Sequence, residues 1–167
     1  MRPCAVPLSV TDSDDHEEHV RRALELAREA AANGNTPFGS LLERGDEVIA
    51  ESENTTRTDN DVTAHPELKL ARWAARELDD GDGAASEGTM YTSTEPCPMC
   101  AGAIALSGLG RVVYSTDGET AAELAPGDDP ALTSDLLERT DGIEIVGPVL
   151  EAEGKAVHHE TWGEEES

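Results

Sequence analysis

Cys97 and Cys100 stand three apart behind Pro96, and upstream His65 and Glu67 flank Pro66. These two short stretches constrain the fold more than any other feature, because each reads as the opening turn of a helix and both must aim at one point. Cysteines three apart at a helix start lie on one face, about one turn from each other. Pro96 and Pro98 suit an extended approach and a first turn, where a missing N–H costs nothing. Ala101-Gly102-Ala103-Ile104-Ala105-Leu106 then continues as a small, apolar segment. His65 and Glu67 are two apart and share no face in mid-helix, so they converge only at a helix lip. Pro66 supports that placement, since proline is tolerated in the first turn and not deeper.

One imidazole and two thiols form a zinc donor set. Three protein ligands hold the ion and leave a fourth position for water, and Glu67 is then free to move protons. A helix N-terminus also favours thiolate over thiol. The bland alternative is a closed structural zinc knot or a metal-free cysteine pair, which a lone C-x-x-C would equally suit. A closed site needs a fourth ligand, and Cys4, His158 and His159 lie near the two chain ends without ligand spacing.

The 167 residues fit one domain with a single core, expected over residues 16–167 behind a flexible acidic leader over residues 1–15. The formal charge is −24, and Lys69 and Lys155 are the only lysines. Such self-repulsion is a lever that halophiles use, so a salt-rich cytoplasm is expected; an ordinary acidic shell is the alternative. Three cysteines, two of them assigned to metal, argue against a disulfide framework and for a reducing compartment. No apolar stretch approaches the roughly 18 residues of a membrane span, and the N-terminus lacks an export signal.

The remaining pattern alternates helices and strands. Residues 17–33 read as a helix with Val20, Ala23, Leu24, Ala27 and Ala31 on one face and Gly34 as its stop. Residues 38–42 and 47–50 read as a hairpin. A helix over 66–78 carries the stripe Leu68, Ala71, Ala74, Ala75 and Leu78. Strands follow at 89–94 and 111–115, then a helix at 130–139, a strand at 143–146 and a weak helix at 150–156. Residues 79–86 and 125–129 read as loops. This order implies an α/β fold with a mixed sheet covered on both faces.

H-x-E followed by P-C-x-x-C is the pattern of zinc-dependent base deaminases. The likeness extends to Thr36-Pro37-Phe38-Gly39, Asn54, the run from Asn60 to Glu67 and the run from Thr94 to Ile104. On these segments the chain resembles the cytidine deaminase-like superfamily, and in particular guanine deaminases and tRNA adenosine deaminases. It departs from the usual family pattern at Pro66, where alanine is usual; this bears on the tilt of the imidazole, not on the chemistry. The resemblance implies a three-layer α/β/α fold with about five strands in a mixed sheet. It also implies one Zn²⁺ per subunit on His65, Cys97 and Cys100, with Glu67 as the catalytic acid and base, and a homodimer.

For substrate contacts, the resemblance implies that Asn54 hydrogen-bonds the base, that Phe38 flanks it, and that the Glu95-Pro96-Cys97 backbone holds the developing oxygen. An amide suits a ring edge that needs both donor and acceptor. Guanine is the favoured substrate, on the likeness of 60–65 and of Ala121-Ala122-Glu123 with Asp128-Asp129 to guanine deaminases. Cytosine is the alternative, because cytosine deaminases also close their pocket with a C-terminal aromatic and acidic segment, here containing Trp162. Trp162 read without the resemblance is a packing anchor for the tail. A tRNA substrate is disfavoured, since phosphate recognition draws on Lys and Arg and the C-terminal third has few. A zinc-stabilised binding module is the non-enzyme alternative. The partner expected is a small-molecule nucleobase or nucleoside in the cytoplasm.

Overall fold

The computed structural model describes residues 10–78, 84–126 and 134–163, with side chains described from His16 onward. Helix α1 spans Val10–Ala32. It begins ahead of the predicted start at Glu17, so residues 10–15, read as leader, are helical, and residues 1–9 lie outside the described residues. No proline or glycine interrupts the chain between Pro7 and Gly34, and acidic residues suit the positive end of a helix dipole.

Strands β1 (Gly39–Arg44) and β2 (Glu47–Glu53) form the expected hairpin, with a bulge between Leu42 and Glu43. Helix α2 (Pro66–Glu77) leads to β3 (Thr89–Thr94), α3 (Pro98–Ser107) and β4 (Arg111–Thr116). Then follow α4 (Gly118–Leu124), α5 (Leu136–Arg139), β5 (Glu144–Val146) and α6 (Glu151–Trp162). The sheet order is β2-β1-β3-β4-β5; β1 is antiparallel to β2 and β3, whereas β3, β4 and β5 run parallel.

Two rows of paired residues cross the sheet and face opposite layers. Leu41, Tyr91 and Val113 are partners across β1, β3 and β4, and they pack with Val20, Leu24, Ala27 and Val157 of α1 and α6. Leu42, Met90 and Val112 form the neighbouring row and pack with Leu70, Ala74, Ile104 and Leu137 of α2, α3 and α5. The period-2 alternation of each strand thus assembles the three-layer fold. Glycines permit close approach on the α1 and α6 side. A Cβ on Gly39 would lie 2.5 Å from Ala27 N, and one on Gly154 would run into the hydroxyls of Ser115 and Thr116.

Several local expectations change. In α1, Ala30 and Leu26 join the buried face and Ala31 is half-buried, because Leu26 and Ala27 meet β1 across Gly39. In α2 the buried line is Glu67, Leu70, Ala71, Ala74 and Leu78, with Leu68 half-buried and Ala75 exposed. Leu70 sets the phase of that helix, and the phase turns Glu67 inward. The predicted loop over 79–86 includes a 3-10 turn at Ala84–Glu87. Helix α4 was not predicted; Asp117 starts it by accepting a hydrogen bond from Thr120 N at 2.7 Å. The predicted helix over 130–139 is observed as Leu136–Arg139, its first residues lying outside the described ones. Helix α6 runs on to Trp162, since Gly163 is the first breaker after Gly154.

The parallel strands place the functional edge. Both β3 and β4 end beside each other, with Thr94 paired to Thr116. Glu95 then ties β3 to α4, its N–H donating to Thr116 O and its Oε1 accepting from Gly118 N, each at 2.8 Å. Helices α2 and α3 start at the same edge, where open α/β sheets take ligands.

Candidate active site

His65 and Cys97 are the N-caps of α2 and α3, both in extended backbone with no side-chain capping bond. Pro66 and Pro98 occupy the first helical turns, so the sequence starts both helices the same way. The caps leave the imidazole and the thiol free to turn toward each other. His65 Nδ1 lies 3.7 Å from Cys97 Sγ and 3.5 Å from Cys100 Sγ. A tetrahedral zinc with ordinary Zn–N and Zn–S bonds has N···S edges of about 3.6 Å. The donors present therefore fit zinc, and Pro66 leaves the imidazole correctly tilted. Among the described residues the donor cluster comprises His65, Cys97 and Cys100, without the fourth protein ligand that a closed knot requires.

The protons of this cluster are already displaced. Cys97 is pulled down to about 4, first by its hydrogen bond with Cys100 and then by His65, against burial. The same pairing with Cys97, together with burial, pushes the Cys100 thiol far up. His65 is raised by its bond to Cys97, with burial opposing and the Glu67 charge assisting. A sulfur whose thiolate is favoured in this way is readily taken by a divalent cation in place of its proton.

Glu67 is only 6% exposed, because the phase of α2 turns it toward the sheet. Burial holds its carboxyl above the usual carboxylate range, opposed by His65 and by a hydrogen bond with Ser40. Ser40 Oγ lies 3.1 Å from Glu67 Oε1.

A cavity of about 400 Å³ opens onto these groups, lined by His65, Glu67, Cys97, Phe38, Arg57 and Trp162 among others. Phe38 and Trp162 form one aromatic wall, and the buried His158 stacks on Trp162 at 5.0 Å and 26°, with Phe38 edge-on to both rings. Trp162 packs against His158 in the last helix and is one of the residues lining the cavity. His158 Nε2 lies 3.4 Å from Thr94 Oγ1, and its buried Nδ1 has no partner among the described residues. An unfilled buried N–H is far rarer than an unfilled acceptor, so Nε2 carries the hydrogen and donates to Thr94. Burial, then His159, lowers this ring to about 4, which keeps it neutral.

Asn54 is buried, and its N–H donates to Phe38 O at 3.0 Å. Its Oδ1 accepts from Thr56 N at 3.0 Å and Thr56 Oγ1 at 2.9 Å. The acceptor expected from the sequence is thus engaged by the loop, which leaves the amide NH₂ as the group for a base contact, and Asn54 is not among the described residues that line the cavity. Asp128 lies outside the described residues.

Residues not singled out in the sequence hold this loop. Asn35 Oδ1 accepts from the N–H groups of Arg57 and Thr58, both at 3.0 Å. Lys69 Nζ donates to Glu53 O at 2.8 Å and Thr55 Oγ1 at 2.9 Å. The sequence signal for Asn35 was its place between Gly34 and Thr36-Pro37, a turn context; Lys69 carried none beyond being one of two lysines.

Residues 13–116 match the family described as the cytidine and deoxycytidylate deaminase zinc-binding region. The chain is 33% identical over 151 residues to a probable cytosine deaminase of Schizosaccharomyces pombe, covering 86% of this chain and 90% of that protein. It is 39% identical over 110 residues to guanine deaminase of Bacillus subtilis, covering 65% and 69%. The solved guanine deaminase of Nitrosomonas europaea superposes with a TM-score of 0.74 at 23% identity, over 96% of this chain and 86% of that one, which establishes the shared fold. With an imidazole, a carboxyl and two thiols converging inside the matched region, the chain belongs to the cytidine and deoxycytidylate deaminase zinc-binding family of hydrolytic deaminases.

Proposed function

We propose that the chain is a zinc-dependent deaminase of a free nucleobase or nucleoside, with guanine the favoured base. The observation that carries this reading is Glu67, a buried carboxyl on the wall of the cavity that His65 and Cys97 also line. His65, Cys97 and Cys100 would hold one zinc per subunit, and that ion would supply the Lewis acidity that readies a water for the reaction. Glu67 would take one proton from the water and give it to the ring nitrogen as the oxygen adds to the carbon bearing the amine, then carry the second proton, from the added hydroxyl, to that amine, so that the C–N bond breaks, ammonia leaves and an oxo group remains. Burial raises its proton affinity and suits it to the acid half of this cycle. Phe38 and Trp162 flank the base, and the Asn54 NH₂ donates to an acceptor on the ring edge. The cavity has room for a base with or without a sugar.

The similarity to a guanine deaminase at 39% identity supports guanine. Cytosine is the second reading, favoured by a specific observation: the similarity to a cytosine deaminase runs over most of both chains, and α6 supplies the Trp162 wall. Arg57 is the only Lys or Arg among the described lining residues, and the arginines of α1 are engaged by Glu51, Glu153 and Glu160. That supports a small molecule over tRNA. Helix α3 carries no charged residue and leaves Leu106 89% exposed, which supports a homodimer contact. The −24 charge and paucity of lysine support a salt-rich cytoplasm.

The test is ammonia release by zinc-loaded protein at high KCl with guanine, cytosine, adenine, their nucleosides and a tRNA anticodon stem. Turnover of guanine above all others is expected. Activity on the stem and none on bases or nucleosides would reverse the reading.

A further inference from the structure

We infer that Ser40 is a positioning residue for Glu67, holding one carboxyl oxygen in place against the sheet; this rests on the deaminase reading above. Ser40 is fully buried in β1 and is the cross-strand partner of Thr92 in β3. Its Oγ lies 3.1 Å from Glu67 Oε1 and 2.8 Å from Thr92 Oγ1, and Thr92 Oγ1 in turn lies 3.1 Å from Thr94 O. The three contacts form one array from the carboxyl to a backbone carbonyl.

The serine is gripped from the far side. Thr92 Oγ1 meets it across the strand pair, and Thr94 O meets Thr92 in turn, so the Ser40 hydroxyl has one place from which to reach Glu67 Oε1. A carboxyl side chain on a helix start has several staggered rotamers. The contact with Ser40 selects one of them, and the carboxyl keeps its aim into the cavity that it lines.

The test compares Ser40→Ala, Thr92→Val and the double variant with the unsubstituted protein, reading zinc per chain, KM and kcat on whichever base that protein turns over. Ser40→Ala should bind zinc normally and keep KM, while kcat falls about 10- to 100-fold, the scale of a lost hydrogen bond to a charged group. Thr92→Val, which keeps the shape, should lower kcat less. The double variant should be no slower than Ser40→Ala alone, since the array is already broken at Ser40. An unchanged kcat in Ser40→Ala, or a loss that tracks zinc content, overturns the inference and leaves the deaminase reading standing. Should Ser40→Ala fail to fold, an unchanged kcat in Thr92→Val overturns it equally. Zinc-loaded unsubstituted protein that releases no ammonia from any substrate overturns the deaminase reading and this inference together.

Discussion

Lowering the pH from about 7 to about 4.5 should destabilise this protein through His158, and substituting His158→Phe should remove that share of the acid sensitivity. The ring's ordinary value is 6.5, and burial brings it to about 4 in the fold. A depressed histidine leaves the folded state short of protons relative to the unfolded chain. Its contribution is therefore complete above pH 6.5 and is lost as the pH falls from there toward 4. At about 1.36 kcal/mol per unit, the loss at pH 4.5 is about 2 kcal/mol. That is a sizeable part of a domain's usual stability of about 5–15 kcal/mol. Phenylalanine keeps the ring stacked between Phe38 and Trp162 and removes the titration. Urea unfolding of both proteins at fixed KCl and two pH values gives the double difference, in which the carboxylates and His65 cancel. Parallel losses in the two proteins would show that His158 does not titrate in this window and that its burial has been misjudged.

Four other outcomes are expected. Glu67→Gln should keep zinc and fold, because the amide preserves the contact with Ser40, yet slow ammonia release about 10²- to 10⁴-fold; turnover within a few-fold of normal would remove Glu67 from the reaction. Dialysis against a chelator should abolish turnover, with zinc restoring it, and Cys97→Ser should bind the metal far more weakly by elemental analysis. Melting temperature should climb as KCl is added, since screening relieves the −24 self-repulsion, and a flat profile would argue for an ordinary acidic protein. Trp162→Ala should raise KM about 3- to 10-fold with little change in kcat, whereas unaltered kinetics would leave the ring as a packing anchor alone.

The chemistry was legible because zinc chemistry is written in residue type and short spacing. His65, Cys97 and Cys100 converge as their placement at two proline-marked helix starts required, and Thr89–Thr94 is the predicted strand residue for residue. The buried stripe of α2 sits one step out of phase with the predicted one, since periodicity alone cannot choose between Leu68 and Leu70 when alanines fill the rest of the helix. That phase makes Glu67 a buried carboxyl. Helix α4 was missed because its seven residues are too few to show a period, leaving the Asp117 cap as the only signal.

What the chain determined unaided was the set of donors, the alternation of elements and the charge of the shell, all local properties of neighbouring residues. What tertiary structure decided was everything that depends on residues meeting across the sheet. Ser40 and Thr92 became one array through strand register, and Asn54 lost its acceptor to its own loop. Phe38 and Trp162 joined into a wall, with His158 stacked on Trp162, only when α6 packed over β4 through Gly154. Such pairings depend on the distance between segments far apart in the chain, and residue order specifies that distance only through the packing of the whole core.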